Sequence, residues 1–346
     1  PQSKAFNLGI LTGGMNTALP PNLIADTEAQ LIRNYEYDHG RLRTRGGYGS
    51  ALITLDGDTI ESFFYDKNTE AYILFGATPT VTTDTAKVYV AYVGGTVTNV
   101  GKLTGREIPC CVRFGANIII ASGGKLQYYS FTANTLTTIS AGYLFDNIFV
   151  RDSRLLASQR GDDKMYCSST GDATSDEAWK EDTNVSSQMQ WFEIGQLDGG
   201  DIITVLPLAG DLIVFKTSGK VYRISGHCPD YSVDEIGTDS HAVDYKRAFT
   251  VVGASILFVT DLGIRALETI QEYGNFSANE TCYKINKNIS SKIYNPKIWN
   301  LLTKRQAVTC PDSTNTKLMY VYQYDSDMAY ELEFAGSIND MSETDN

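Results

Sequence analysis

The segment DIITVLPLAGDLIVFKTSGKVYRISG, residues 201–226, runs apolar strand, Gly-Asp turn, apolar strand, Ser-Gly turn and apolar strand without a break. The same hairpin returns along the chain. Close copies are GANIIIASGGKLQYYSF from Gly115, DSRLLASQRGDDKMYCSS from Asp152 and GASILFVTDLGIRALET from Gly253; looser ones are EAYILFGATPTVTTDTAKVYVAYV from Glu70 and TKLMYVYQYDSDMAYELEF from Thr316. Taking Tyr72, Ile118, Leu155, Leu212, Ile256 and Leu318 as equivalent positions gives spacings of 46, 37, 57, 44 and 62 residues. Six units with several strands each, recurring every ~40 to 50 residues, match blades of a β-propeller, whereas helical and leucine-rich repeats are shorter and patterned differently.

Further strands flank the hairpins. TIESFFYD, EIPCCVRF, FDNIFVRD, DIITVLPL, HAVDYKRAFTVV and KRQAVTC precede them, and TVTNVG, TLTTIS, QWFEIG and YSVDEIG follow four of them. The unit is therefore a four-stranded antiparallel meander. Runs such as LIVF, IIIA and ILFV barely alternate, as expected of strands buried on both faces. A β-sandwich with several hairpins is the competing architecture, and the regular blade length weighs against it. Twenty-one Tyr and 14 Phe beside 30 Gly and only 9 Pro in 346 residues also favour strands and tight turns over helices. The expected fold class is all-β, a six-bladed propeller at 49–346 with an extended N-terminal arm at 1–48 that holds a short helix around DTEAQLIRNY. Residues 49–55 are expected to supply the missing strand of the last blade, and 268–304 to form an insertion between blades five and six. In that insertion Tyr294, Trp299 and Leu301 are candidate contact residues.

Forty-one acidic against 29 basic residues give a formal net charge of -12. Such a surplus opposes sequence-independent adhesion to nucleic acid or anionic membrane. Six cysteines are scattered without a CxxC pair and read as free thiols. PQSKAFNLGILTGG has neither a basic segment nor an apolar run of the kind a secretory leader carries, so a soluble chain made in a cytoplasm, without membrane insertion, is expected.

Chemical motifs are sparse. SSTGDATSDEAW at 168–179 faintly matches the Asp-box turn of propeller glycosidases but occurs once. No carboxylate pair stands out of 41 as an acid and its partner across a glycosidic bond. His227 and Cys228 lie too far in sequence from His241 for the short spacing of a zinc site. Asp162, Asp163, Asp198 and Asp201 sit in turns, where calcium binding and plain turn geometry are both open. No catalytic residue, metal or cofactor is assigned. A carbohydrate-binding or carbohydrate-cleaving propeller and a stand-alone protein-binding hub are the rival readings.

The arm carries a resemblance. Gly13, Gly14, Met15, Asn16 and Thr17, then Pro20, then Glu28, Ala29 and Gln30, then Asn34, then Leu42, Arg43, Arg45, Gly47 and Tyr48 follow the order found at the start of propeller proteins in tailed-bacteriophage virions. The likeness extends through SSTGDATS, FEIG, and the segments around 200–226 and 248–267. The chain thus resembles the packaged-DNA stabilization or tail-hub (nozzle) proteins of short-tailed phages, whose members are typically longer. That resemblance implies a non-catalytic structural subunit of a virion tail, assembled in the host cytoplasm into a homo-oligomeric ring below portal and adaptor proteins. Packaged DNA would pass it without sequence-specific contacts. Apolar arm residues Phe6, Leu8, Ile10, Leu11 and Met15, with Asn16, Arg43 and Arg45, are the candidate subunit contacts. Wrapping of the arm on its own propeller is the open alternative.

Overall fold

Tight turns set the strand pairing. Between Ile202–Leu208 and Asp211–Lys216 the two turn residues, Ala209 and Gly210, both have positive φ (53° and 91°). That conformation twists with the flanking strands, and glycine adopts it without steric cost. Asp152 and Ser153 (φ 52° and 58°) make the same turn between Asn147–Arg151 and Arg154–Ser158, without a glycine. A computed structural model describes residues 11, 13–38, 41–46, 51, 53–78, 84–181, 186–239, 241–270 and 275–342.

Six four-stranded antiparallel sheets follow one another as the blades of a β-propeller, with one α-helix, Tyr283–Ser290, among the described residues. Two compact units divide the chain, Ser50–Thr238 with blades one to four, and Pro1–Gly49 together with Asp239–Asn346, which holds blades five and six and the arm.

Within the first unit, side-chain alternation explains the continuous apolar runs. Ile118 and Ile120 pack into one cluster with Ile73, Phe75, Val88 and Tyr129 from blades one and two. Their neighbours Ile119 and Ala121 point the other way, into a cluster with Leu155, Ala157, Phe145 and Trp179. Leu156 in turn faces Val205, Leu212 and Val214 of blade four. Successive residues of a strand thus serve two different cores, as period-2 geometry requires when both faces are covered. Each of the Ile, Leu, Val and Phe side chains among them contributes roughly 1.5–3 kcal/mol on full burial.

The second unit corrects three expectations. Segment 268–304 is not an insertion. It contains Asn275–Glu280, which pairs with Gly263–Ile270 as the outer strand of blade five, then the helix, then Lys297–Leu301, the first strand of blade six. Blade six is complete in Lys297–Leu301, Gln306–Cys310, Leu318–Gln323 and Met328–Glu333. The closing strand expected at 49–55 is therefore not needed. Residues 51 and 53–55 form no strand, and 49, 50 and 52 lie outside the described residues. The third correction concerns DTEAQLIRNY, which is not helical; Glu28–Ala29 pairs in parallel with Gly14–Met15 instead.

After blade six the chain turns back over the first strands of blades five and six. Asp340 accepts from Trp299 Nε1 (2.9 Å) and from Arg247 (3.1 Å), while the Asn339 carbonyl accepts from Lys297 Nζ (3.0 Å) and Arg247 (3.2 Å). Asp340 and Arg247 are largely buried as an ion pair. Replacing Asp340 with Ala should leave the indole N–H and the guanidinium short of a partner and cost about 1–3 kcal/mol. An unchanged urea midpoint in D340A would refute this.

Candidate functional site

The motif residues between Gly13 and Asn34 build a clasp. Gly14 has φ +74°, and a Cβ there would lie 2.9 Å from the backbone nitrogen of Ala329, so the arm meets the last strand of blade six at closest approach. Met15 is completely buried and Asn16 nearly so. Asn16 Nδ2 donates to Glu28 (2.8 Å), and its Oδ1 accepts from the backbone N–H of Ala18 (3.1 Å). Gln30 Nε2 bridges the carbonyls of Asn16 and Leu19 at 2.8 and 2.9 Å. Thr17 donates through both N–H and hydroxyl to the Lys284 carbonyl, and Lys284 Nζ pairs with Glu28 at 3.2 Å. Burial pushes the Glu28 carboxyl up, but hydrogen bonds from Asn16, the Ala25 N–H and Lys284 outweigh it and hold the group below its ordinary value.

Farther along, residues 32–34 occupy the free edge of blade six. Glu331 N–H donates to the Ile32 carbonyl (2.8 Å), and Asn34 N–H donates to the Glu331 carbonyl (2.9 Å). Arg33 lies in parallel register with Glu331 and pairs with its buried carboxylate at 2.8 Å. Asn34, at φ +60°, accepts the Glu333 N–H (2.8 Å) on its side chain. Next comes the hairpin Tyr35–Asp38 with Arg41–Thr44, and then Arg45, whose guanidinium stacks 4.6 Å from the Phe334 ring. Hairpin residues Glu36, Tyr37 and Arg43 line a surface cavity of about 550 Å³ with Lys304, Arg305 and Asp325 of blade six. Its outline is charged, with Lys304 to Glu36 at 3.8 Å and Arg305 to Asp325 at 3.7 Å.

The contact residues expected from sequence thus separate. Met15 and Asn16 face inward and hold the arm; Arg45 packs on Phe334; Arg43 faces the charged cavity; Leu11 is half-buried. Phe6, Leu8 and Ile10 lie outside the described residues. Tyr294 is exposed, Leu301 is half-buried, and Trp299, at 8 % exposure, is a core residue tied to Asp340. Arm wrapping on its own blade is the arrangement observed for residues 13–38 and 41–45. Four large apolar side chains of the arm face outward, Leu19, Leu23, Leu31 and Tyr35, with Leu23 at 61 % exposure, among polar residues such as Asn22, Asp26 and Arg43. Lys284 and Glu331, which fasten the arm, are not legible in the sequence, because nothing local marks a partner 256 or 298 residues away.

Polar clusters elsewhere are saturated by structural bonds. Lys216 is fully buried, and its ammonium donates to Asp198 (2.6 Å), Asp163 (2.7 Å) and the carbonyls of Ile194 and Gly195 (2.9 and 3.3 Å). Asp162 accepts from Tyr166 OH (2.5 Å), Gln159 and the Lys164 N–H, which is turn geometry. His241 engages Asp261 (2.8 Å), and His227 engages Asp152 (2.8 Å). Among the described residues no three His, Cys, Asp or Glu side chains gather as metal ligands, and no helix is long and apolar enough to cross a membrane.

No protein-family model matches the sequence, and no curated protein matches it. Solved structures do. A candidate 6-phosphogluconolactonase from Bacteroides fragilis superimposes with a TM-score of 0.55 at 13% identity, over 82% of this chain and 86% of that one. The β-propeller domain of Cps50 (Swd1) from Myceliophteria thermophila gives 0.53 at 9% identity, over 83% and 90%. The extracellular domain of a hybrid two-component system from B. thetaiotaomicron gives 0.54 at 13%, over 82% of this chain and 37% of that one. The fold is a six-bladed β-propeller. At such identities the likeness extends to the fold alone.

Proposed function

We propose that the chain is a non-catalytic structural subunit of a phage tail, arranged with copies of itself in a ring around the path by which packaged DNA leaves. The observation that carries this reading is the clasp: the residues through which the arm resembles virion propeller proteins fix residues 13–34 on blade six and leave Leu19, Leu23, Leu31 and Tyr35 outward. A single propeller channel is too narrow for duplex DNA, so a conduit needs several subunits about an axis. The surplus of acidic residues suits its wall, because like charges do not trap phosphates in counterion-releasing contacts. A ring also needs a surface that a neighbour covers, and stable interfaces bury about 1,200–2,000 Å² with apolar side chains at their centre. The outward arm residues offer such a centre.

Light scattering coupled to size exclusion, with negative-stain imaging, checks the proposal on the full chain. The expected result is a closed ring, or rings that form on adding the partner portal and adaptor proteins. Replacing Leu23 and Leu31 by Asp should reduce assembly about tenfold or more without moving the melting temperature, since both side chains are already solvated. A persistent monomer that hydrolyses 6-phosphogluconolactone or cleaves a glycan would overturn the proposal.

A further inference from the structure

The hairpin turn at Asp152 and Ser153 in blade three holds the turn between Lys220–His227 and Asp230–Thr238 of blade four. Asp152 binds His227 Nδ1 (2.8 Å) through one carboxylate oxygen, and through the other it accepts from the Cys228 N–H (3.3 Å) and Tyr231 OH (3.1 Å). Arg151 donates to the Gly226 carbonyl at 2.7 Å, and Tyr231 packs on Phe192 with centroids 4.9 Å apart. So pinned, half-buried Cys228 packs against the core shared by blades three and four, where Cys167 is completely buried. Both thiols thus belong to one packed core, Cys167 inside it and Cys228 against it.

We infer that Cys167 and Cys228 are an oxidation-sensitive dithiol that closes to a disulfide between blades three and four when the protein meets a hydroperoxide. The Cys228 thiolate attacks one peroxide oxygen; the O–O bond breaks, hydroxide leaves and takes up a proton, and Cys228 becomes a sulfenic acid. Cys167 then loses its proton and attacks that sulfur, the S–O bond breaks, and water leaves. Two thiols and one hydrogen peroxide give one disulfide and two waters.

The division of labour follows from surroundings. Donation from Cys167 lowers the Cys228 thiol below the usual range, with Arg154 adding to the effect against the opposing cost of burial, so Cys228 is the nucleophile. Cys167 is pushed up by the same bond and by burial, which makes it the resolving thiol. The remaining cysteines lack this arrangement. Cys110 and Cys111 are neighbours in one strand and point to opposite faces, while burial pushes the thiols of Cys282 and Cys310 up. The inference stands apart from the proposed function.

To test it, the native full chain is treated with a few equivalents of hydrogen peroxide, quenched with N-ethylmaleimide and mapped with trypsin without reduction. The expected species is the peptide of residues 165–180 joined to that of residues 224–246, two hydrogens lighter than their sum and separated by dithiothreitol. Before oxidation, Cys228 should alkylate with iodoacetamide about tenfold faster than Cys282 or Cys310 at neutral pH. In Cys228→Ser the linked pair should vanish. A different pairing, an intermolecular bridge, or Cys228 accumulating as sulfinic acid beside a free Cys167 would each overturn the inference. Should C228S fail to fold, the wild-type map decides alone.

Discussion

Replacing Lys216 with Ala is expected to destabilise the protein by about 3–5 kcal/mol, the usual cost of removing one partner from a buried ion pair. Its side chain is fully buried at the end of Asp211–Lys216, and its four acceptors converge on one ammonium. Without it the Asp198 carboxylate, only 4% exposed, loses its ion-pair partner. Asp163 is 32% exposed and loses less. A pH test separates this from simple loss of packing. In the native protein burial pushes the Asp198 carboxyl up, but Lys216, Tyr222 and the Gly200 N–H overcome that and hold it low. A depressed folded pKa stabilises above the unfolded value of about 3.9 and is lost as pH falls below it. In K216A only Tyr222 and the Gly200 N–H still oppose burial, so the Asp198 carboxyl should rise, and the stability gap between variant and native chain should be smaller at pH 4 than at pH 8. Urea denaturation at both pH values measures it, and the double variant K216M/D198N should recover much of the loss. If K216A melts like the native chain at both pH values, the buried cluster is not what holds these turns.

Removing residues 1–34 should be as severe. Met15 and Ile32 alone contribute about 3–6 kcal/mol at the ordinary worth of two fully buried apolar side chains. Glu331 would also lose Arg33, and the outer edge of Met328–Glu333 would lie open to pairing with other chains. Lower thermal stability together with light scattering at the onset of melting is the expected result. Removing residues 1–10 instead keeps every bond of the clasp described above, so that variant should melt with the parent. The stability difference between the two truncations is the quantity to compare. If both melt alike, the clasp contributes nothing and the arm is a passenger.

How far the sequence reached can be judged from particular segments. Blades one to four were legible strand by strand, because turns such as Ala209-Gly210 punctuate apolar runs at short range. Blade six was misread at one place. KIWNL follows a helix and a proline and precedes LTK, so it reads as part of an insertion, while an unpartnered early segment was enlisted to fill the vacancy. Yet Trp299 belongs to the core, since three buried residues, Lys297, Ile298 and Trp299, pair with Gln306–Cys310. An early segment does fasten the last blade, but it is Ile32–Asn34 on its outer edge rather than 49–55. The arm's helix failed for a related reason: Asp26 and Thr27 look like caps, but the backbone of Glu28–Ala29 finds a parallel partner in Gly14–Met15. Tertiary pairing overrode local propensity.

Because every blade is drawn from one uninterrupted stretch of chain, a blade can assemble as soon as its own residues have left the ribosome. Residues 13–34 obey a different clock. They precede all six blades in the chain but dock on Met328–Glu333, so they must wait without that partner until the strand about 300 residues later has been made. During that interval a chaperone or a sister subunit could seize the segment first, and the order of synthesis then decides whether the clasp closes at home or abroad.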